Sequence, residues 1–209
     1  MMPTLRANNL GQRFGRLLLF RRMSFTLEGG TSLAVTGANG SGKSTLLRIL
    51  AGVLSPKAGS VSLSVEGQSI SDEAHPLHAG LVAPYLNVYD DLTARENLQF
   101  LSQTRALPGP EARIATVLDD VGLGARGNDL VGTYSSGMKQ RVKVAAALLA
   151  EPPLLLLDEP STNLDTMGVD MVERVMDQQQ ARGGLLVVAT NRADEAAAHD
   201  RTIRIEDFR

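Results

Sequence analysis

The chain has 209 residues, 43% of them hydrophobic and 21% charged, enough to bury a sizeable core as one large domain or as a core with a smaller subdomain. Its 21 basic residues nearly balance 23 acidic ones, and a net charge of -2 offers no bulk attraction to nucleic acid or anionic lipid, so nucleic acid is not expected as a partner. The absence of cysteine excludes a disulfide framework, thiolate-ligated zinc and thiol chemistry, and no apolar run approaches the roughly 18 residues that span a bilayer.

The opening Met1-Met2-Pro3-Thr4-Leu5-Arg6 lacks the basic and apolar regions of a signal peptide, so a chain soluble by itself is expected, with any membrane role coming through another subunit. Leu17-Leu18-Leu19-Phe20 and Phe25-Thr26-Leu27 read as strands, ended by the turn signal Glu28-Gly29-Gly30. Ser32-Leu33-Ala34-Val35-Thr36 reads as a buried strand and leads into Gly37-Ala38-Asn39-Gly40-Ser41-Gly42-Lys43-Ser44. That stretch has two glycines at the spacing of a phosphate-binding loop, followed by Lys and Ser, and Thr45-Leu46-Leu47-Arg48-Ile49-Leu50 then reads as the first turns of a helix. Glycine allows backbone dihedrals that turn successive N–H groups around an anion, at a helix N-terminus whose dipole also favours negative charge. Lys43 suits contact with the β- and γ-phosphates and Ser44 suits Mg²⁺; the bland alternative is a Gly-rich turn without chemistry.

Ala51-Gly52 stops this helix, Pro56-Lys57-Ala58-Gly59 reads as a turn, and Ser60-Val61-Ser62-Leu63-Ser64-Val65 alternates as a half-exposed strand does. From about 86 to 150 the pattern is helical, a helical insert between two α/β or β-rich portions. Thr93 with Glu96 has the form of a capping box, with Leu98, Phe100 and Leu101 as packing positions. After Pro108-Gly109-Pro110, residues Ile114, Val117, Leu118 and Val121 recur at helical spacing. Tyr134-Ser135-Ser136-Gly137-Met138-Lys139-Gln140-Arg141 precedes a helix with Val142, Ala145, Ala146 and Leu149 on one face. Ser135 or Ser136 can cap it, leaving N–H groups that suit a phosphate; a merely capped helix is the equal alternative.

Leu154-Leu155-Leu156-Leu157-Asp158-Glu159 ends a buried strand in two carboxylates, Val169 to Gln180 reads as a helix, and Leu185-Leu186-Val187-Val188-Ala189 reads as another buried strand. Continuous apolar runs alternating with helices indicate a parallel sheet covered on both faces. Ligands bind beyond the C-terminal edge of such a sheet, where both carboxylates would join the phosphate loop. Asp158 suits Mg²⁺, and Glu159 suits orienting or deprotonating the water of an in-line phosphoryl transfer. His75, His78 and His199 lie in polar surroundings, read as solvated, and are assigned no metal.

The phosphate loop at 37–44, Ser-Ser-Gly at 135–137, Leu-Leu-Leu-Leu-Asp-Glu-Pro at 154–160 and Ser161-Thr162-Asn163-Leu164-Asp165 occur in the order and spacing of an ABC-type ATPase, and the resemblance covers essentially the whole chain. It implies a P-loop NTPase α/β fold with a mainly parallel sheet, an N-terminal antiparallel β subdomain and an inserted α-helical subdomain. The chain is then one domain of 209 residues, with 1–85 and 151–209 forming the catalytic core with its β subdomain and about 86–150 the helical subdomain. It further implies that two copies stack head to tail, with ATP held by residues 37–45 (Gly37, Ala38, Asn39, Gly40, Ser41, Gly42, Lys43, Ser44 and Thr45) of one copy and by Ser135, Ser136 and Gly137 of the other. Ser136 stands where the family usually has glycine. Phe14 matches an aromatic that stacks on adenine, the alternative being a core Phe; Asp165 matches the aspartate of the dimer seam, a role compatible with a plain helix N-cap.

Two positions depart from the family pattern. Tyr85 follows Leu81-Val82-Ala83-Pro84 where a Gln usually contacts Mg²⁺ and senses the transmembrane partner, and Asn191 follows Val187-Val188-Ala189-Thr190 where a His usually contacts the γ-phosphate. Asn can hydrogen-bond a phosphate oxygen but supplies no cation, so slow or partner-dependent turnover is expected. The reading is an ATP- and Mg²⁺-dependent ATPase with Glu159, Lys43 and Asn191 as catalytic residues. It is expected in the cytoplasm at the inner face of the cell membrane, bound to transmembrane permease subunits and to a second ATP-binding subunit, with a homodimer expected. The short length, with nothing after Arg209, looks like the ATP-binding subunit of the haem exporter of cytochrome c maturation and like those of other compact exporters. Two rivals stand beside it: a nucleotide-gated dimerisation switch with little hydrolysis, against which Lys43, Asp158 and Glu159 argue, and a small-molecule kinase, which has no use for a segment supplied by a second copy.

Overall fold

A computed structural model describes residues 2–162 and 164–209; Met1 and Asn163, the latter inside the motif at 161–165, lie outside the described residues. The first sheet is antiparallel, with strands in the order β2 (Leu17–Glu28), β1 (Thr4–Phe14), β4 (Ala58–Val65), β5 (Gln68–Ser69). The second is parallel, in the order β6 (Ala79–Val82), β7 (Leu154–Asp158), β8 (Leu185–Ala189), β3 (Ser32–Thr36), β9 (Arg201–Arg204). Helix α1 (Lys43–Leu50) follows the phosphate loop, α2 (Ala94–Thr104), α3 (Pro110–Asp120) and α4 (Ser136–Leu148) lie between β6 and β7, and α5 (Thr166–Ala181) and α6 (Ala193–Ala197) flank β8. The α/β class with both sheets is thus as the sequence indicates. Among the described residues no helix is long and apolar enough to cross a membrane.

The apolar runs of β7 and β8 are continuous because both sheet faces are covered. Leu154, Leu156, Leu185, Val187 and Ala189 pack in one core with α1 and the antiparallel sheet. Leu155, Leu157, Leu186 and Val188 pack in a second core with residues of α2, α3, α4 and α5. Two-residue strand periodicity therefore divides each run between two cores, and the central strands of the parallel sheet hold both together.

Several expectations are refined. The apolar stretches at 17–20 and 25–27 are one strand, β2, which passes Arg22 in a left-handed conformation (φ 54°) where its pairing with β1 is irregular. The turn expected at 56–59 ends earlier, because β4 already begins at Ala58; Gly59 (φ 79°) sits where a Cβ would lie 2.3 Å from the Asn8 carbonyl oxygen. Thr93 and Glu96 form the reciprocal capping box at 3.1 and 2.8 Å, but Phe100 is not a packing position: it is 47% exposed and stands edge-to-face with the exposed Tyr89 ring, with centroids 5.4 Å apart. The 86–92 stretch is not helical, and the side chain of buried Asn97 orders part of it by accepting from the Tyr89 N–H and donating to the Tyr89 and Thr93 carbonyls. His75 is not solvated. It is 3% exposed, and burial lowers its pKa; both ring nitrogens of His199 are also buried, with no hydrogen-bond partner among the described residues.

Leu156 is fully buried at the centre of β7. Leu156→Ala is expected to lower unfolding stability by about 2–5 kcal/mol, read as a lower urea midpoint with an unchanged m-value.

Candidate functional site

The parallel register lines up three strand ends. Ala189 of β8 lies beside Val35 of β3 on one side and Asp158 of β7 on the other. Beyond the strands the ladder continues, the Glu159 N–H donating to the Ala189 carbonyl at 2.8 Å and the Thr190 N–H to the Val35 carbonyl at 3.0 Å. The phosphate loop, the Asp158-Glu159 pair and Thr190-Asn191 therefore leave the sheet side by side.

At the loop, the backbone conformations explain the glycines. Gly37 has φ 147° and a Cβ there would lie 2.7 Å from Ser41 Oγ; Gly42 has φ 118° and a Cβ there would press on Leu19 at 3.2 Å. Gly42 caps α1 with no side-chain hydrogen bond, so the first N–H groups of the helix point to the cleft without an internal acceptor. Lys43 is 5% exposed and its Nζ donates to the Gly37 carbonyl at 2.8 Å and the Ala38 carbonyl at 3.4 Å, with Glu159 Oε1 at 3.9 Å. This cation rests on carbonyls of its own loop, with one carboxylate in reach.

A cleft of about 490 Å³ opens here, lined among others by Phe14, Asn39, Gly40, Lys43, Asp158 and Glu159, together with Gly42, Ser44 and Thr45. Phe14 is 50% exposed at the end of β1, so it belongs to this cleft and not to the core. Asp158 is 2% exposed, and its Oδ2 has no hydrogen-bond partner among the described residues. Burial raises its pKa, offset by a hydrogen bond with Ser44 and by Lys43, while the neighbouring Glu159 raises it further. An orphaned carboxylate oxygen beside a serine hydroxyl is a donor set that fits a hard divalent cation such as Mg²⁺. Glu159 itself has φ 50°, a left-handed conformation uncommon for a residue with a side chain.

Other singled-out residues lie outside that cleft. Gly37, Ala38 and Asn191 line a neighbouring hollow on the other side of the loop, and Ser41 is buried with its hydroxyl unpartnered. Asn191 Nδ2 donates to Asn39 Oδ1 at 3.3 Å, which ties the end of β8 to the phosphate loop. Ser135 caps α4 by accepting from the Met138 N–H at 3.2 Å, so of the two candidates Ser135 is the cap. Ser135, Ser136 and Gly137 do not reach the phosphate-loop cleft; Ser136 lines a second cleft of about 600 Å³ with Tyr89, Lys139, Lys143 and Glu159. Asp165 caps α5 by accepting from the Gly168 N–H at 2.8 Å and also faces Arg141 at 3.2 Å. Tyr85, 48% exposed, carries the Arg48 guanidinium of α1 over its ring at 5.7 Å, and burial raises its phenol pKa.

The structure adds residues that the sequence reading did not single out. Glu195 of α6 accepts from Ser161 Oγ at 2.7 Å and also from Thr190 Oγ1, joining the turn after Glu159 to the turn before Asn191. Glu206, in the 3₁₀ turn Ile205–Phe208, accepts from the Ala38 N–H at 2.8 Å. Neither carried a motif signal, because the contacts with Ser161 and with Ala38 join loops far apart in sequence. Arg48 was read only as one residue of the helix after the phosphate loop.

The ABC transporter family model matches residues 20–162. A cytochrome c biogenesis ATP-binding export protein from Pseudomonas syringae is 38% identical over 194 residues, covering 90% of this chain and 88% of that protein. The linearmycin resistance ATP-binding protein from Bacillus subtilis is 31% identical over 195 residues, covering 91% of this chain but only 62% of that protein. Among solved structures, a dimeric ATP-binding cassette in a post-hydrolysis state bound to ADP and Pi superposes with a TM-score of 0.82 at 24% identity, covering 96% of this chain and 93% of that one.

The buried Asp158 makes a stability prediction. Its folded-state pKa is raised, so the stability contributed by its neutral form is complete below the unfolded carboxylate range and is lost as pH rises through the folded value. At neutral pH the charged group destabilises the fold. Asp158→Asn is therefore expected to raise the melting temperature of the ligand-free protein at neutral pH, by about 2–4 °C for each kcal/mol recovered, with the difference shrinking towards pH 4 in calorimetry.

Proposed function

Because the chain belongs to the ABC transporter family, we propose that it is an ATP-hydrolysing subunit that pairs with a second copy on MgATP and drives membrane permease subunits in the direction of export. One observation carries this reading. Lys43, Asp158 and Glu159 converge on the cleft at the phosphate loop, whereas Ser135, Ser136 and Gly137 of the same chain stay outside it. A γ-phosphate in the cleft then meets residues 135–137 only when a second copy presents them. The exposed caps Ser135 and Asp165 are available for that seam.

Within the cleft, residues 37–45 bind the phosphates, the loop N–H groups and Lys43 neutralising their charge, and Phe14 covers the base. Ser44 and Asp158 hold Mg²⁺, which when bound neutralises charge on the phosphates. For Lys43 to reach a phosphate it leaves the Gly37 carbonyl, a short swing of one buried side chain. Glu159, already 3.9 Å from Lys43, orients and deprotonates the attacking water. Asn191 starts outside the cleft, tied to Asn39 of the loop, and must turn from that contact to hydrogen-bond the γ-phosphate; its neutral amide adds no positive charge, which slows the step.

The permease is proposed to dock at an apolar groove of about 320 Å³ lined by Val53, Leu81, Leu86, Val88 and Leu101 together with Lys143. Exposed Leu77 and Tyr89 add apolar surface close by in sequence, and Tyr85 sits directly before Leu86, between groove and cleft. The relatives named for export and for resistance support an exporter, and the one named for cytochrome c biogenesis supports the haem-exporter type.

Phosphate release from MgATP, followed across protein concentration, tests this reading. The rate is expected to rise more than proportionally with concentration and to vanish in Glu159→Gln; proportional release, or release that survives in that variant, refutes it. Asn191→His is expected to raise kcat about 5–10-fold, equivalent to about 1 kcal/mol of added stabilisation of transition-state charge, and Tyr85→Gln to change the response to the permease.

A further inference from the structure

The peptide between Gly37 and Ala38 is gripped from both ends. Its carbonyl accepts from Lys43 Nζ at 2.8 Å, and its N–H donates to Glu206 Oε1 at 2.8 Å. Glu206 comes from the last turn of the chain, which is anchored by fully buried Ile205 and by Phe208 packed on the first core. Its second oxygen, Oε2, is buried, has no hydrogen-bond partner among the described residues and lies 3.5 Å from Arg204 Nε. The fit is close: a Cβ on Gly37 would lie 2.8 Å from Glu206 Oε2 and 2.7 Å from Ser41 Oγ. The Ala38 N–H also holds the Glu206 carboxyl below the usual carboxylate range, so at neutral pH the acceptor is charged and the bond strong.

These two grips respond differently to a ligand. Lys43 is the cation that a phosphate draws away, and when it leaves, the Gly37 carbonyl loses its donor. The bond from Ala38 to Glu206 then holds the peptide alone. A free peptide at this point can rotate, since Gly37 has no side chain to resist it, and rotation would displace the backbone from which Asn39 and the following N–H groups are hung.

We propose that Glu206 is a positioning residue for nucleotide binding, a carboxylate from the end of the chain that fixes the first peptide of the phosphate loop while Lys43 engages the ligand. The inference rests on the ATP-binding reading above, and it concerns affinity, since Glu206 lies against the base of the loop and touches no reacting atom.

The test compares equilibrium binding of a fluorescent ATP analogue, and KM and kcat for ATP, in the parent and in Glu206→Ala, Glu206→Asp, Glu206→Gln and Lys43→Ala. Glu206→Ala is expected to weaken binding and raise KM about tenfold with kcat within about twofold. Glu206→Asp keeps the charge but is one methylene too short to reach the Ala38 N–H, and it is expected to behave like Glu206→Ala. Glu206→Gln keeps an acceptor oxygen and stays within about threefold of the parent. A merely structural role would not sort the variants by reach. The proposal is overturned if Glu206→Asp binds as the parent does, or if the loss appears in kcat with KM unchanged; should Glu206→Ala fail to fold, the Asp and Gln pair decides. If Lys43→Ala also binds normally, it is the ATP-site reading itself that has failed.

Discussion

The register of three parallel strands is the constraint on which the rest depends. Ala189 is paired between Val35 and Asp158, and this alignment, extended by one further bond on each side, is what sets a lysine, two carboxylates and an asparagine from three sequence regions at one sheet edge. A shift of register by one residue would turn each apolar side chain to the opposite core and move the carboxylates away from the loop. The division of β7 and β8 between two cores penalises any such shift. Packing and chemistry are therefore secured by the same bonds.

What collects at that edge is unfavourable by the ordinary rules of folding. Asp158 is a buried carboxylate with one oxygen unpaired, Glu159 has a left-handed backbone, and Lys43 turns back on the carbonyls of its own loop. Two of these are met by something that the proposed ligands bring: a cation for Asp158, phosphate oxygens for Lys43. Local strain held in place by a well-packed sheet is a common property of sites arranged in advance for a ligand.

The loops around the edge are tied to each other by side chains. Asn191 reaches Asn39, Glu195 joins Ser161 to Thr190, Glu206 holds Ala38, and Arg48 lies over Tyr85. The Tyr85 ring is covered by the guanidinium of Arg48, which comes from the helix of the phosphate loop, so the loop after β6 and α1 are in direct contact. Contacts of this kind make the loops one connected assembly, and they explain how short segments without sheet hydrogen bonds of their own keep a defined geometry.

Much of this could be read from the chain alone because the relevant physics is local. Gly-rich spacing followed by Lys and Ser specifies a phosphate loop, continuous apolar runs of five or so residues specify buried parallel strands, and Thr93 with Glu96 specifies a helix start, since each depends on residues close in sequence. Phe100 and His75 were misread for the matching reason: exposure is decided by which element packs above a residue, and periodicity does not report that. The same limit hid Glu195 and Glu206. Ser161 and Ala38, which they hold, lie 34 and 168 residues away, and a lone carboxylate acquires such a role only when the fold carries it to a particular N–H or hydroxyl. Sequence alone determined which chemistry the chain carries and which strands present it. Tertiary structure decided which side chains hold that chemistry in place, because hydrogen-bond partners across a parallel sheet are fixed by register and crossover, and neither leaves a trace in local composition.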